Sequence, residues 1–424
     1  MTGHPSTART ATRESRPPHL RRIQDLAIGL MTVGMGALSL TGPDIGRGLD
    51  WCAVIVTAGL GLAWVLRRMP TAAGTLVLAG FGTTVAVSAT AVAVPHLVIT
   101  GASSTAVAAS VAASGGLLAV GCAAVVFVRA VPGWRRLLLV PIVIAVGYGL
   151  CLPLGLAVYA THAPRTALAS VSPADRDLTY QEASFTSADG VSLSGWYIPA
   201  TNRAAVVLLP GSGSTRTAVL DHAVVLARHG YGVLMVDPRG QGTSEGQAME
   251  FGWFGESDVA AAVGFLQRQP GVEPGRIAAV GLSMGGEEAI GALAADPRIQ
   301  AVVAEGATNR VAADKAWLAD AYGLRGHVQL AVDGVTYGLA DVMTDAPQPI
   351  SLGDAVAAAA PRAVLLIAGG GTEDEVAADT AIRARSPDTV QLWVVPGAAH
   401  TAGLAVAPVE WESRVIGFLG DALS

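Results

Sequence analysis

Residues 277–286 read Ile-Ala-Ala-Val-Gly-Leu-Ser-Met-Gly-Gly, and these ten positions decide how the second half of the chain folds. Ile277–Val280 is wholly apolar, as befits a strand buried on both faces of a sheet. Gly281-Leu282-Ser283-Met284-Gly285 then fits the pattern G-x-S-x-G, and Glu287–Ala295 continues with helical spacing. Strand, sharp turn and helix are the context in which that pattern has chemical meaning. The turn needs glycine at positions 281 and 285 because backbone segments approach closely there. Its strain pushes the Ser283 hydroxyl out at the carboxyl end of the strand, where a helix N-terminus favours developing negative charge. With 51 glycines in 424 residues, the bare pattern arises by chance about 0.3 times in such a chain, so the context carries the reading.

Upstream, Leu178–Phe185 and Val191–Ile198 read as paired strands around the Ala188-Asp189-Gly190 turn. Ala204–Leu209 is a second wholly apolar strand, ending in Pro210-Gly211. A helical pattern over Thr217–His229 leads to strand Gly232–Val236, and helix Asp258–Arg268 leads to Ile277–Val280. Downstream come strands Gln300–Ala304, Ala363–Ile367 and Val390–Val395, then a last helix over Glu410–Leu419. This alternation predicts an α/β domain over 178–424, doubly wound around a mainly parallel sheet. The long interval from about 306 to 361 exceeds an ordinary crossover and is expected to form a cap over the site.

A serine hydroxyl becomes nucleophilic near neutral pH only beside a base. Two histidines follow Ser283. His327 falls in the long interval and is expected at the surface. His400 closes Pro396-Gly397-Ala398-Ala399-His400, just beyond strand Val390–Val395, and is the expected base. A carboxylate should orient it from the loop after Ala363–Ile367, where Glu373, Asp374 and Glu375 compete. Stabilising an oxyanion takes two backbone donors: the N–H of Met284 and, by position in the Pro210–Ser214 loop, that of Ser212.

The Gly281–Gly286 turn, the Asp237-Pro238-Arg239-Gly240-Gln241-Gly242-Thr243-Ser244 loop, and the ending Gly397…His400…Glu410-Trp411 together resemble the α/β-hydrolase superfamily. Within it, the resemblance is to the dienelactone-hydrolase-like and prolyl-oligopeptidase-like esterase branch, and it covers about Leu178 to Ser424. It implies the chain order serine, acid, histidine. Members commonly show Asp-x-x-Val at the acid; Glu373-Asp374-Glu375-Val376 fits with Glu, which favours Glu373, with Asp374 as competitor. The Asp237 loop is structural in such proteins. Pro210-Gly211 departs from the usual His-Gly, which reshapes the loop without removing its N–H groups.

The first half is of another kind. Hydrophobic residues make up 51% of the whole chain and charged ones 14%, and the imbalance is concentrated between Ile23 and Tyr159. Five runs approach the roughly 20 apolar residues of a spanning helix: Ile23–Leu40, Trp51–Leu66, Thr75–Val98, Ala106–Val128 and Leu137–Tyr159. Their Gly and Ala content suits close helix packing in lipid. Arginines alternate between connections. Arg9, Arg13, Arg16, Arg21 and Arg22 lie in the tail, Arg67 and Arg68 in the second loop, and Arg129, Arg135 and Arg136 in the fourth. The first loop has only Arg47 against Asp44 and Asp50, and the third has no charge. This predicts an all-α transmembrane region over 23–160 with the N-terminus inside and the catalytic domain outside the cytoplasm. Residues 1–22 read as a disordered basic tail and 161–177 as a linker.

A net charge of −6 with no basic stripe excludes a nucleic-acid partner. Cys52, Cys122 and Cys151 all lie in the apolar half, and no metal-ligand spacing occurs; neither metal nor organic cofactor is expected. The sequence thus predicts a membrane-anchored serine hydrolase acting on a small-molecule or lipid-like ester, or an amide, beside the bilayer. An acyltransferase using the same residues and a non-catalytic sensor on the same fold are the alternatives; the oligomeric state is open.

Overall fold

A computed structural model describes residues 18–42, 45–131 and 133–424. The chain divides into two compact units, Met1–Gly155 and Leu156–Ser424. Of the expected tail, residues 1–17 lie outside the described residues, and 18–22 already belong to a helix.

The first unit is all helical: α1 Pro18–Ser39, α2 Ile45–Arg68, α3 Thr71–Thr100 and α4 Ser104–Ala130. A fifth apolar helix, Gly133–Thr161, runs on through α5 Leu139–Val146, a π-helical turn and α6 Leu152–Thr161, whose last turns lie in the second unit. Small residues let α1, α3 and α4 meet backbone to backbone: a Cβ on Gly34 would stand 2.3 Å from Ala112 N, and one on Gly116 2.5 Å from Ala86 N. Apolar side chains such as Leu60, Trp64, Ile142 and Val143 are left exposed, as on a surface that meets lipid tails. Among the described residues four helices are long and apolar enough to cross a membrane: α2, α3, α4 and Gly133–Thr161. Helix α1, the first of the five expected spans, is not among them; Arg21, Arg22 and Asp25 occupy its opening turns.

The second unit holds one sheet in the order β1-β2-β4-β3-β5-β6-β7-β8. The strands are β1 Gln181–Thr186, β2 Ser192–Ile198, β3 Ala205–Leu209, β4 Gly232–Val236, β5 Ile277–Leu282, β6 Ile299–Glu305, β7 Ala363–Gly369 and β8 Val390–Val395. β1 and β2 run antiparallel, and β3 to β8 are parallel. Helices α7 Leu220–Arg228, α8 Gly255–Gln267 and α9 Met284–Ala295 follow β3, β4 and β5.

The wholly apolar strands alternate between two cores, which is why they carry no polar face. Val207, Leu234, Ala279, Val302 and Leu366 pack with residues of α8 and α9. Val206, Val233, Met235, Ala278 and Leu365 pack with α7 and with the last helix, Pro408–Ala422, whose Trp411 is fully buried.

The interval after β6 holds α10 Trp317–Tyr322, α11 Leu324–Met343 and α12 Leu352–Ala359. Leu352, Ala355 and Val356 of α12 lie in the sheet's main core, so α12 is part of the helical layer. The insertion proper is α10 and α11, narrower than the expected 306–361. The 161–177 segment is no free linker: it is hydrogen-bonded to the domain from Thr161 onward. Asp237 lies inside its loop, fully buried, accepting from Arg216 N and Thr243 N, both at 2.9 Å.

Candidate active site

Ser283 sits between β5 and α9 with φ 53° and ψ −123°. A non-glycine residue there costs about 1–3 kcal/mol and persists only where its surroundings impose it. The surroundings here are backbone. A Cβ on Gly281 would meet Gly285 O at 2.1 Å, and one on Gly285 would meet Pro210 O at 2.5 Å. The elbow is therefore pressed against the end of β3, and its two glycines are sterically required. Ser283 N donates to Glu305 O at 2.7 Å, tying the turn to the neighbouring strand.

Ser283 Oγ lies 2.9 Å from His400 Nε2 and donates to it; His400 Nδ1 donates to Glu375 Oε2 at 2.7 Å. The carboxylate against the histidine is Glu375, not Glu373 or Asp374. Helix α13, Glu373–Ala384, explains why. Glu375, Ala378, Asp379 and Ile382 are its buried residues, a spacing of i, i+3, i+4, i+7 that marks the core-facing stripe. Glu373 opens the helix off that stripe. Asp374 faces the insertion, where its carboxylate accepts from Tyr322 Oη at 2.6 Å. Glu375 is held further by Gly369 N, which donates to its Oε1 at 2.6 Å. In the sequence, Ala378 and Ile382 mark an inward stripe that Asp374, four residues before Ala378, fits as well as Glu375 does; the burial of Asp379 turns the stripe toward Glu375.

The Glu375 carboxylate raises the pKa of His400 above its ordinary 6.5, against the opposing effect of burial. Behind the ring, a Cβ on Gly306 would stand 2.7 Å from His400 Cε1, so the imidazole rests on bare backbone. The histidine loop is anchored by Glu305, whose buried carboxylate accepts from Gly403 N at 2.7 Å and Trp411 Nε1 at 2.9 Å.

Met284 opens α9, so its N–H is among those that a helix leaves unpaired at its start. The loop after β3 comes close as well: a Cβ on Gly211 would lie 3.3 Å from Ser283 Cβ. Ser212, next in that loop, donates its hydroxyl to Glu250 Oε2. A cavity of about 430 Å³ opens beside the histidine, lined among others by His400, Glu375, Asn309, Trp317, Tyr322 and Arg325. The insertion therefore forms one wall of the space in front of His400. His327 is exposed on α11.

Burial reaches deeper than the sequence suggested. Glu287 accepts from Thr308 N and Asn309 N at 3.1 and 3.0 Å, and burial lifts its pKa to about 7. Asp379, one turn beyond Glu375, is fully buried with neither oxygen hydrogen-bonded and is pushed well above the usual carboxylate range. No group of His, Cys, Asp and Glu among the described residues is arranged to hold a metal ion.

Residues 200–346 match the family described as serine aminopeptidase, S33. A thiohydrolase of Aspergillus aculeatus is 34% identical over 138 residues, 30% of this chain and 42% of that protein. A polyketide transferase of a Penicillium species is 33% identical over 138 residues, 30% of this chain and 45% of the relative. The chain thus spans less than half the length of these curated relatives. Among solved structures, an esterase of Pyrococcus furiosus is 26% identical with a TM-score of 0.51, covering 62% of this chain and 98% of the esterase. The second unit has the α/β-hydrolase fold, of the esterase-like kind.

Proposed function

We propose that the protein is a membrane-anchored serine hydrolase that cleaves an ester or thioester through an acyl-enzyme. The observation that carries this reading is the relay from Ser283 Oγ to His400 Nε2 at 2.9 Å and from His400 Nδ1 to Glu375 at 2.7 Å. Ser283 attacks the substrate carbonyl while His400 takes its proton. Glu375 keeps the proton on Nδ1, leaving Nε2 free to accept, and stabilises the imidazolium that forms. The N–H groups of Met284 and Ser212 receive the developing oxyanion. The tetrahedral species collapses as His400 returns the proton to the leaving oxygen or sulfur. Water, activated by the same histidine, then attacks the acyl-Ser283 carbonyl and releases the acid.

The acyl group or its leaving group occupies the cavity under α10 and α11. The apolar helices hold the domain beside the bilayer, and the arginine alternation supports a position outside the cytoplasm, with α1 counted as a span alongside the four more apolar helices. A second reading, acyl transfer, differs only in the acceptor, and the relative named polyketide transferase favours keeping it. Turnover of p-nitrophenyl butyrate and butyryl-thiocholine by the full chain in detergent tests the proposal. Hydrolysis abolished by Ser283→Ala is the expected result, and equal turnover by that variant sinks it. Addition of alcohol acceptors, with the ester product quantified, separates transfer from hydrolysis.

A further inference from the structure

The chain leaving the last apolar helix at Thr161 crosses the loops beside the nucleophile. Ala160 O accepts from Glu250 N at 2.9 Å, and Thr161 O accepts from Gln247 Nε2. Arg165 Nη1 donates to Gly242 O at 3.1 Å. Thr166 is bound three ways. Its N–H donates to Gln241 Oε1 at 2.6 Å, its carbonyl accepts from Gly242 N at 2.9 Å, and its hydroxyl donates to Gly213 O at 2.8 Å.

Gly213 belongs to the short loop that carries Ser212. That loop is gripped from its other side too. Gln241 Nε2 donates to Glu250 Oε1 at 3.1 Å, and Glu250 Oε2 accepts from Ser212 Oγ. Gln241 is 1% exposed and Glu250 9%. Buried polar groups are costly unless partnered, so these two hold their hydrogen bonds as a closed network. The loop itself has little with which to hold its shape: Gly211 and Gly213 flank Ser212, and Gly213 takes a φ of 64°.

We propose that the exit segment, through Thr166, and the buried Glu250 are positioning elements of the oxyanion site. They fix the Ser212 N–H at the distance that the tetrahedral oxygen requires. This rests on the reading of Ser283 as nucleophile. An oxyanion donor acts in the transition state more than in the ground state. A loosened loop therefore lowers kcat and leaves KM nearly alone. Neither Thr166 nor Glu250 touches substrate; each acts through the Pro210–Ser214 loop. The chain's departure from its last apolar helix is thereby built into the catalytic loop.

The test uses the full chain in detergent, with p-nitrophenyl butyrate as substrate and a trifluoromethyl ketone as tetrahedral-oxyanion probe. Four variants are compared: Thr166→Val, Thr166→Ser, Glu250→Ala and Glu250→Gln. Thr166→Val and Glu250→Ala are expected to lower kcat by about 10- to 100-fold, somewhat less than outright removal of a donor. KM should stay within about twofold, and the ketone should weaken by the same factor as kcat. Thr166→Ser keeps the hydroxyl in place and should restore most of the rate; Glu250→Gln keeps one accepting oxygen and should restore part of it. Unchanged kcat in the two disruptive variants overturns the proposal. So does a loss in which KM, melting temperature and kcat all fall together and the conservative variants give no rescue. If wild type and Ser283→Ala turn over ester equally, the hydrolase reading itself has failed, an outcome distinct from either of these.

Discussion

Replacing Glu375 by Gln probes the acid in a way that Ala does not. Gly369 N–H donates to Glu375 Oε1 at 2.6 Å, and only an oxygen can occupy that position. The amide introduced by Glu375→Gln is therefore forced to turn its NH2 toward His400 Nδ1, 2.7 Å away in the wild type. Nδ1 must then accept, which moves the imidazole proton to Nε2. The atom that should take the Ser283 proton is instead a donor facing Oγ. The same wrong-tautomer effect in a serine protease lowers kcat about 10⁴-fold, so a loss of about 10³- to 10⁴-fold is expected here, equivalent to roughly 4–5.5 kcal/mol. Folding should be little affected, because the side chain's volume and its bond to Gly369 are kept. The assay is steady-state ester hydrolysis with Glu373→Gln and Asp374→Asn in parallel, each expected to retain kcat within about threefold. The reasoning is refuted if Glu375→Gln keeps more than about a tenth of wild-type kcat while either of the other two abolishes it.

The remaining predictions concern pH, stability and topology. The Glu375 carboxylate raises His400 above 6.5, and the protonated ring cannot accept from Ser283. kcat/KM should therefore fall as pH drops, with a midpoint above 6.5, and the residual activity of Glu375→Gln should titrate at lower pH; a wild-type midpoint below 6 would contradict this. Burial raises Glu287 from 4.5 to about 7. Its folded form holds the proton more tightly than its unfolded form, so the associated stability is full below about pH 4.5 and is lost as pH rises toward 7. That loss amounts to about 3 kcal/mol. Glu287→Gln should melt higher than wild type at pH 8.5 and about equally at pH 4.5, by thermal unfolding in detergent; no pH dependence in the difference counts against it. A bacterial alkaline phosphatase fused after Ser170 should be active if the helices place the domain outside the cytoplasm, and an inactive fusion reverses the topology.

The sheet was legible because its strands are short, apolar and bounded by Gly, Pro and Asp. Ala204–Leu209 and Ile277–Val280 carry no polar residue, and such strands form where helices cover both faces. The elbow was legible because its glycines are sterically compelled by Pro210 O and Gly285 O. Glu375 was harder because three adjacent acids share the loop's composition, and only the stripe through Ala378, Asp379 and Ile382 separates them. The length of the interval after β6 also overstated the insertion. α12 carries the same kind of apolar residues as α10 and α11, and only its packing places it under the sheet. The network joining Thr166, Gln241, Glu250 and Ser212 was invisible in the sequence, since its bond from Thr166 to Gln241 alone spans 75 residues and its side chains individually look like surface residues.

The central claim is that Ser283 is the nucleophile, and covalent capture tests it most directly. The full chain in detergent is incubated with a fluorophosphonate, digested, and its labelled peptide sequenced by mass spectrometry. The account predicts one adduct on Ser283, abolished by Ser283→Ala and formed much more slowly in His400→Ala. Labelling that persists in Ser283→Ala, or that maps to another serine, would contradict it.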